Sequence, residues 1–422
     1  MAHLTNKKTK AAFGLLGEHL KHSQSPWIHQ QFNRYAYELW ELPPCDLPAF
    51  FKAKAFQGLN VTIPYKITVM DYLDDLTPEA QKIGSVNTIV NRAGRLLGAN
   101  TDYLGFHYLL KQEGLSVTDR HVLVLGSGGA SQMVQTYCQE EGAASVTVIS
   151  RQGPNHYDNL YAHPQTQMLV NATPVGMYPN NTACKVALDY FPQLEAVVDL
   201  IYNPLRTRLL ERARERDIHA VNGLGMLVAQ AFAAMELFMN EKGEPQELDR
   251  ITQRLERRMQ NLVLIGMPGA GKTSMGQRLA QKLQRPFVDL DAKLVECLGQ
   301  SIPDVFAKYG EAYFRQVEAQ LTEEFAKETG QVMATGGGTP LRPSNRLALQ
   351  QNGFIFYLDR PVEELATAAR PLSKDLPALK AMYQNRHQLY QGLADQRLPV
   401  VEGEEVMWER LWKAVQNENF SA

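Results

Sequence analysis

Short apolar runs alternate with stretches of helical periodicity along most of this chain. In the first hundred residues, AAFGLLG and GLNVTI are apolar runs of strand length, whereas residues 26–37 and 65–73 carry apolar side chains at helical spacing. Strands and helices that alternate in this way are typical of an α/β fold. The pattern therefore predicts an α/β unit between about residues 11 and 102.

A second series of strands and helices follows, between about residues 104 and 221. Its apolar runs are HVLVLG, SVTVIS, MLVNAT, AVVDLI and HAVN, and they predict a doubly wound parallel sheet. A long apolar stretch comes next, at residues 224–239, and is interrupted by Gln230 and Glu236. We predict that it is a buried helix and not a membrane span.

A polar, charged segment at residues 241–260, EKGEPQELDRITQRLERRMQ, separates these two series from a third α/β region. Its glycine, proline and charges predict a boundary that is part linker and part amphipathic helix. We therefore predict an α/β domain at 1–103 to which a helix at 223–240 returns, a doubly wound domain at 104–222, and a third domain at 261–422.

Composition narrows the functional classes. The 422 residues carry a net charge of −2 without a basic cluster, so we expect neither nucleic acid nor an anionic membrane as a partner. The four cysteines are scattered without metal-site spacing, which indicates free thiols in a reducing compartment. No apolar signal follows the basic start, so we expect a cytoplasmic protein. The sequence leaves the oligomeric state open.

The clearest chemical motif is GMPGAGKT at Gly266–Thr273, which fits GxxxxGK[ST] and lies between a strand and a helix. Backbone N–H groups of such a loop and of the following helix bind phosphates. We expect Lys272 to reach the β- and γ-phosphates of ATP and Thr273 to ligate Mg²⁺. The predicted nucleotide contacts are Gly266, Gly269, Ala270, Gly271, Lys272, Thr273 and Ser274.

Further candidate residues follow the loop. Asp289 and Asp291 are two apart, so in a strand both would point the same way and suit a metal and a hydroxyl-bearing acceptor. Arg315 lies one helical turn before Glu318, a spacing also common for surface pairs. Three glycines let a ligand approach the backbone closely, and cations follow near the end of the domain. These are Gly336, Gly337, Gly338, Arg370 and Arg386.

In this order the P-loop, DxD, GExxFRxxE, GGG, RPL and RxxxY motifs resemble shikimate kinase over about residues 261–415. The resemblance implies that Asp291 holds the acceptor hydroxyl and acts as base, while Asp289 joins Thr273 at the metal. It implies that Arg315 and Arg386 bind a carboxylate, as bidentate guanidinium groups do. It makes Arg370 a lid residue that neutralises the transferring phosphoryl group.

The same resemblance puts Arg397, in QRLP, beside the adenine. The chain departs from the family around the lid. Ser373 stands where the family has the last leucine of RPLL, the flanking stretches are shorter, and EELATAAR lacks the arginine that commonly lies against the adenine. These departures concern nucleotide affinity and lid closure more than the reacting groups.

A second glycine-rich turn, GSGGAS, lies between strand HVLVLG and a helix. It is GxGxxS, a weaker form of the dinucleotide fingerprint. The next strand ends at Ser150-Arg151, and an arginine there favours the 2′-phosphate of NADP, although a surface arginine is the alternative. The predicted NADP contacts are Gly126, Ser127, Gly128, Gly129, Ala130, Ser150 and Arg151.

Short hydroxyl and amide side chains precede this turn and suit a small polyol, although each alone is common in turns. HSQSP, NVTIPYK, GSVNT and GANTDYLGF supply Ser23, Ser25, Asn60, Thr62, Lys66, Asn87 and Asp102. With the later blocks NATPVGM, DLIYNPLRT and NGLGMLVAQA, they resemble shikimate dehydrogenase over residues 12–240.

The resemblance implies that Lys66 and Asp102 are the catalytic pair and that Gly223 contacts the cofactor. The implied substrate contacts are Ser23, Ser25, Asn60, Thr62, Asn87, Tyr202 and Gln230. Both serines and Thr62 favour shikimate over quinate. The family usually carries N-R-T with a second basic residue shortly after, whereas this chain has Ser150-Arg151-Gln152 followed by GPNHYDN.

The two resemblances name consecutive reactions. They predict a bifunctional enzyme that reduces 3-dehydroshikimate with NADPH and phosphorylates shikimate with MgATP to shikimate 3-phosphate. Two other functions remain as alternatives. One is a quinate dehydrogenase fused to a kinase of another small polyol, and the other is a regulator that binds shikimate without turnover. Channelling between the two sites is a further hypothesis.

Overall fold

The chain folds into two compact units, which the computed structural model describes for residues 12–20, 23–151, 153–365, 376–399 and 403–420. The first unit comprises residues 1–202 and 207–253, and the second comprises 203–206 and 254–422. All three predicted α/β regions are present. No helix among the described residues has the length and apolar character needed to cross a membrane.

The first sheet of unit 1 is mixed and has the strand order β2-β1-β3-β5-β6-β4. Its strands are β1 (Phe13–Gly17), β2 (Tyr37–Glu41), β3 (Gly58–Val61), β4 (Asp75–Leu76), β5 (Thr88–Arg92) and β6 (Arg95–Ala99). The accompanying helices are α1 (Ser25–Phe32), α2 (Leu47–Ala53) and α3 (Pro78–Ile83). Leu16, Leu59 and Ile89 lie fully buried in its core.

Two predicted helices of this region are wrong in extent. The helix expected over 26–37 ends at Phe32, because Asn33 adopts a left-handed conformation (φ 51°) and the chain then enters β2. The helix expected over 65–73 is a 3-10 helix at Thr68–Tyr72 only. Here the carbonyl of Lys66 accepts a hydrogen bond from the backbone of Val86, outside any helix.

The second sheet of unit 1 is parallel throughout and has the order β11-β10-β9-β7-β8. Its strands are β7 (His121–Leu125), β8 (Ser145–Ile149), β9 (Met168–Asn171), β10 (Ala196–Asp199) and β11 (His219–Asn222). The associated helices are α4 (Thr101–Gln112), α5 (Gly129–Glu140), α6 (Arg208–Arg214) and α7 (Leu224–Met239). The predicted doubly wound arrangement is confirmed.

Helix α7 returns from the second sheet to the first part of the chain. Phe238 packs against Phe13 of β1, and Met226 belongs to the same core as Phe106 of α4. Gly105 allows α4 and α7 to approach closely, since a Cβ there would lie 2.7 Å from the carbonyl oxygen of Met226. This helix pair holds residues of α4 and α7 at one cleft.

Unit 2 is built on a parallel sheet of order β13-β14-β12-β15-β16. Its strands are β12 (Asn261–Ile265), β13 (Phe287–Asp289), β14 (Val332–Ala334), β15 (Gly353–Asp359) and β16 (Gln396–Pro399). The segment predicted as linker forms α8 (Pro245–Met259), within which the two units divide. The remaining helices are α9 (Lys272–Leu283), α10 (Leu290–Leu298), α11 (Ile302–Ala326), α12 (Pro343–Asn352), α13 (Leu376–Leu393) and α14 (Glu404–Asn417).

Candidate active sites

A cavity of about 880 Å³ opens in unit 1 between the first sheet and the start of α7. It gathers the polar residues that the sequence places in six separate motifs. Its lining includes Ser23, Ser25, Asn60, Thr62, Lys66, Asn87, Asp102, Tyr202 and Gln230. The size and polarity of this cavity suit a small molecule that carries several oxygen atoms.

Lys66 and Asp102 form an ion pair inside this cavity, with 2.6 Å between Nζ and Oδ2. Lys66 lies in the turn after β3, and Asp102 lies in the first turn of α4, where its backbone N–H donates to Asn100. Their side chains keep 31% and 16% of their surface exposed, so both remain reachable from the cavity. A lysine held by a carboxylate is suited to proton transfer with a bound substrate.

Two amides of the cavity wall are fixed by buried hydrogen bonds. The Oδ1 atom of Asn87 accepts from the backbone N–H of Thr101 at 2.7 Å and from the hydroxyl of Thr88 at 3.2 Å. Asn60 donates to the same Thr88 hydroxyl at 3.2 Å. Such fixed amides give a substrate defined partners, because their orientation is set before binding.

The glycine-rich turn of unit 1 lies directly beside the cavity. Gly126 has a φ of 106°, and a Cβ there would lie 2.9 Å from Thr173. Gly128 and Gly129 border open space, since a Cβ on either would meet no atom within 4 Å. Helix α5 begins at Gly129, and Ala130 lines the cavity. An open backbone at a helix start fits the pyrophosphate of a dinucleotide.

Other predicted cofactor residues surround the turn. Ser127 is in the turn itself, and Gly223 lies against the Leu200 carbonyl at the start of α7. Ser150 follows β8 and bridges to His156, and Arg151 beside it is exposed. Burial raises the pKa of Tyr157, and the nearby Arg151 cation offsets part of that rise. Arg151 is thus an available cation at the strand end where a ribose phosphate would bind.

The buried carboxyl of Asp199 links two loops of the cleft and was not predicted. It accepts hydrogen bonds from Asn171 at 2.9 Å, Thr207 at 2.7 Å and the backbone of Ile201 at 3.1 Å. Burial raises its pKa to about 7, although these bonds favour the charged form. Burial likewise raises the pKa of Tyr202, three residues further on.

In unit 2, the turn after β12 has the geometry of a phosphate-binding loop. Gly266, Gly269 and Gly271 have φ values of 147°, 85° and 91°, which L side chains rarely adopt. The Lys272 ammonium is buried and donates to the carbonyls of Gly266 at 3.0 Å and Met267 at 2.9 Å. Ala270 is buried within the loop, and Ser274 donates to the Gly271 carbonyl.

Thr273 and Asp289 meet at the edge of this loop, with the threonine hydroxyl 2.5 Å from Oδ2 of Asp289. Hydroxyl and carboxylate oxygens are ligands that Mg²⁺ prefers. Among the described residues, no three His, Cys, Asp or Glu side chains are grouped to hold a metal. The donors present therefore fit a cation that takes its other ligands from nucleotide phosphates and water.

The predicted strand alternation of Asp289 and Asp291 is wrong. Strand β13 ends at Asp289, whose Oδ1 accepts from the Ala292 backbone N–H at 3.1 Å and so begins α10. Asp291 lies in the first helical turn. It nevertheless faces the triple glycine, because a Cβ on Gly336 would lie 2.5 Å from Oδ1 of Asp291.

The triple glycine is a meeting point for the residues predicted to bind the acceptor. A Cβ on Gly337 would lie 2.7 Å from Pro268 of the phosphate loop, and one on Gly338 would collide with the Arg315 guanidinium. The Gly337 carbonyl accepts from Arg386 at 3.1 Å and from the Tyr390 hydroxyl. Only glycine permits these contacts at all three positions.

Arg315 is held by two carboxylates of its own helix. It donates to Glu318 at 2.8 Å and to Glu311 at 3.2 Å, and the buried Glu318 also accepts from Thr339. Burial disfavours the charged guanidinium, but Glu318 and Glu311 outweigh it, so the pKa of Arg315 is raised. The pair with Glu318 is therefore not a solvated surface pair.

Arg397 of β16 pairs with the buried Asp359 at the end of β15, at 2.6 Å. Asp359 also accepts from the hydroxyls of Tyr357 and Tyr383 at 2.8 and 2.9 Å. The side chain of Arg397 keeps 44% of its surface exposed. Arg370, predicted as the lid cation, lies outside the described residues.

Comparison with known proteins assigns both units. A family model of the shikimate dehydrogenase substrate binding domain matches residues 15–89, and one of shikimate kinase matches residues 268–415. Shikimate dehydrogenase (NADP(+)) of Symbiobacterium thermophilum is 35% identical over 271 residues, which are 57% of this chain and 92% of that protein. Its counterpart in Clostridium beijerinckii is 35% identical and covers 58% of this chain and 96% of its own.

Solved structures agree for unit 1. Shikimate dehydrogenase 1 from Peptoclostridium difficile has a TM-score of 0.54 at 36% identity, and covers 58% of this chain and 97% of that chain. A chorismate mutase/shikimate 5-dehydrogenase fusion protein from Clostridium acetobutylicum has a TM-score of 0.56 at 36% identity, with 58% and 96% covered.

Proposed function

The chain belongs to the shikimate dehydrogenase family and carries a shikimate kinase domain behind it, and we propose that it catalyses two consecutive reactions on one carbocyclic acid. The first is reduction of 3-dehydroshikimate to shikimate with NADPH. The second is phosphorylation of shikimate by MgATP to shikimate 3-phosphate. The observation that supports the first step best is the cavity of unit 1, which joins the Lys66–Asp102 pair to a wall of hydroxyl and amide groups.

In the reduction, Lys66 gives a proton to the carbonyl oxygen of the substrate while Asp102 holds the ammonium in place. Bound NADPH supplies the hydride to the carbonyl carbon. Ser23, Ser25, Asn60, Thr62, Asn87, Tyr202 and Gln230 surround the ring and its substituents. The fixed Asn87 amide holds the substrate ring in one position, which keeps the substrate carbonyl near Lys66.

The NADPH site of this proposal lies at the start of α5. Gly128 and Gly129 face the pyrophosphate with open backbone, Gly126, Ser127 and Ala130 lie beside them in the turn, and Gly223 and Ala130 border the substrate cavity. Ser150 and Arg151 take the 2′-phosphate, where a guanidinium can make two hydrogen bonds. The selection of NADP by this chain therefore rests on Arg151 more than in relatives with two cations.

In the phosphorylation, Asp291 takes the proton from the acceptor hydroxyl beside Gly336. Arg315 and Arg386 bind the carboxylate of the acid at the triple glycine. Lys272 and the N–H groups of the phosphate loop hold the phosphates, and Thr273 and Asp289 hold Mg²⁺. Bound MgATP supplies the phosphoryl group, Arg397 lies beside the adenine, and Arg370 neutralises the charge of the transferring phosphoryl group.

We further propose the domain limits 1–103 with 223–240, 104–222, 241–260 and 261–422, a cytoplasmic location, and small molecules as the binding partners. The direct test is turnover by the purified chain. We expect NADPH oxidation with 3-dehydroshikimate and ADP formation with shikimate. Absence of both reactions would overturn the proposal in favour of a ligand-binding regulator.

A further inference from the structure

A partly buried aromatic cluster contacts Asn60 in the wall of the substrate cavity. His29 of α1 is 1% exposed and stacks on Tyr37 of β2 with ring centroids 3.9 Å apart and planes 8° apart. Its Nδ1 atom is 2.7 Å from the hydroxyl of Tyr35. Burial lowers the pKa of His29 to about 3, so the imidazole is neutral, and a hydrogen bond with Asn60 opposes this shift. None of these three aromatic residues lines the cavity.

The hydroxyl of Tyr37 connects this cluster to the cavity. It donates to Oδ1 of Asn60 at 2.8 Å, while the Asn60 amide donates to Thr88 at 3.2 Å. The hydroxyl of Thr88 in turn donates to Asn87 at 3.2 Å. A chain of hydrogen bonds therefore runs from Tyr37 through Asn60 and Thr88 to Asn87, and both asparagines line the cavity.

Strand pairing explains why this contact exists. Strand β1 lies between β2 and β3, with Phe13 opposite Tyr37 and Leu15 opposite Asn60. Residues two apart on β1 share one face of the sheet, so Tyr37 and Asn60 project to the same side. The long tyrosine side chain spans the width of β1 and reaches the amide.

We propose that Tyr37 is a positioning residue of the dehydrogenase, which orients Asn60 and, through Thr88, Asn87 toward the bound acid. This inference rests on the proposed function of the cavity. An asparagine amide is nearly symmetric in shape, and only its hydrogen-bond partners decide which end faces the substrate. Because Oδ1 accepts from Tyr37, the amide nitrogen is the end that donates to Thr88.

The test is Tyr37→Phe, which keeps the ring stacked on His29 and removes only the hydroxyl. The matched control is Tyr35→Phe, which removes a part-buried hydroxyl of the same cluster that bonds to His29. Because a lost hydrogen bond to a buried amide shifts an equilibrium by about tenfold, we expect the KM for 3-dehydroshikimate to rise ~10-fold in Tyr37→Phe. We expect the KM for NADPH to stay within about twofold, and Tyr35→Phe to leave both constants within about twofold.

A double-mutant cycle shows whether Tyr37 acts through Asn60. In an Asn60→Ala background we expect Tyr37→Phe to change the KM by less than about twofold, since the amide it orients is gone. An unchanged KM in Tyr37→Phe, an equal rise in Tyr35→Phe, or full additivity with Asn60→Ala would overturn the inference. A wild type without NADPH oxidation would instead overturn the proposed function and, with it, this inference.

Discussion

A 3-10 helix, β4, α3 and the β5–β6 hairpin lie between Lys66 and Asp102 in sequence, yet their charged atoms meet at 2.6 Å. The lysine motif NVTIPYK and the aspartate motif GANTDYLGF identify both residues without the structure. What the structure adds is their contact and their access to a shared cavity. That contact makes the role of each side chain separately testable.

Asp102→Asn should lower the kcat of NADPH oxidation about 10²-fold, because the amide cannot hold the ammonium for proton transfer as a carboxylate does. We expect the KM for 3-dehydroshikimate to change far less. Steady-state kinetics of the full-length chain measures both constants, and ADP formation with shikimate serves as an internal control. A variant with wild-type kcat would exclude Asp102 from the proton transfer.

Asp199 gives a pH dependence to the stability of unit 1. Its pKa in the folded chain, about 7, lies above the ordinary aspartate value of 3.8. The folded state therefore binds more protons between these values, and the stabilisation present at low pH is lost as pH rises through about 7. Asparagine cannot titrate, so Asp199→Asn should remove this part of the dependence of stability on pH.

Hydrogen exchange of peptides around Asn171 and Thr207, compared at pH 5 and pH 8 after correction for intrinsic exchange rates, measures this effect. We expect wild-type protection to fall with pH by an amount on the order of a few kcal/mol at most. Protection of the same peptides in the Asp199→Asn variant should change less between pH 5 and pH 8. An equal fall in both proteins would contradict the assignment of the slope to Asp199.

The residues that sequence reasoning missed share one property. The functions of Tyr37 and Asp199 depend on contacts across strands, and nothing in YAYELWE or AVVDLI marks them. Tyr37 reaches Asn60 only because β1 lies between β2 and β3. Sheet register is set by the whole fold, so a single sequence without pairing information does not reveal it.

At the scale of elements, the residue that ends each helix decided whether the predicted helix length was right. The helix at residues 224–239 was predicted to the residue, because its apolar run is long and ends at Asn240, whose φ of 54° terminates it. The helix expected over 26–37 was too long, because Asn33 also adopts a left-handed conformation and ends the helix after Phe32. Capping residues end a helix only in context, and polarity alone does not identify them.

At the start of α10, two aspartates lie beside their predicted partners although the predicted secondary structure is wrong. Asp289 and Asp291 were expected on one strand, but Asp289 is the N-cap of α10 and Asp291 lies in its first turn. Helix geometry still directs the first carboxylate to Thr273 and the second to the triple glycine. The two aspartates can therefore serve the metal and the acceptor separately.

Asp289→Asn tests this division. Asparagine is an equally good N-cap, so α10 should keep its stability while one charged Mg²⁺ ligand is lost. We expect the Mg²⁺ concentration for half-maximal kinase activity to rise about tenfold, because a carboxylate that binds a metal, or that holds one of its ligands in place, commonly contributes that much to metal affinity. NADPH oxidation should not change, and an unaltered Mg²⁺ requirement would refute the metal role of Asp289.

At the scale of the molecule, unit 1 contains two sheets and unit 2 contains one, and each unit has its own hydrophobic core and glycine-rich turn. Apolar periodicity was sufficient to predict three α/β regions and the break near residues 241–260. That segment was predicted to be part linker and part amphipathic helix, and most of it forms the helix α8. Residues 203–206 group with unit 2 although unit 1 flanks them in sequence, and no local pattern encodes this.

Separate cores and separate reacting residues imply two activities that can be removed one at a time. Lys66 belongs to the cavity of unit 1, and Lys272 belongs to the phosphate loop of unit 2. Lys66→Met should abolish NADPH oxidation and leave phosphorylation of added shikimate. Lys272→Met should do the reverse and let shikimate accumulate.

The most direct test of the bifunctional account supplies 3-dehydroshikimate, NADPH and MgATP together and follows shikimate 3-phosphate by mass spectrometry. The account predicts that the wild type forms it, that neither lysine variant does so alone, and that a mixture of the two variants restores it. Failure of the wild type to form shikimate 3-phosphate, or loss of both activities in either single variant, would contradict the account.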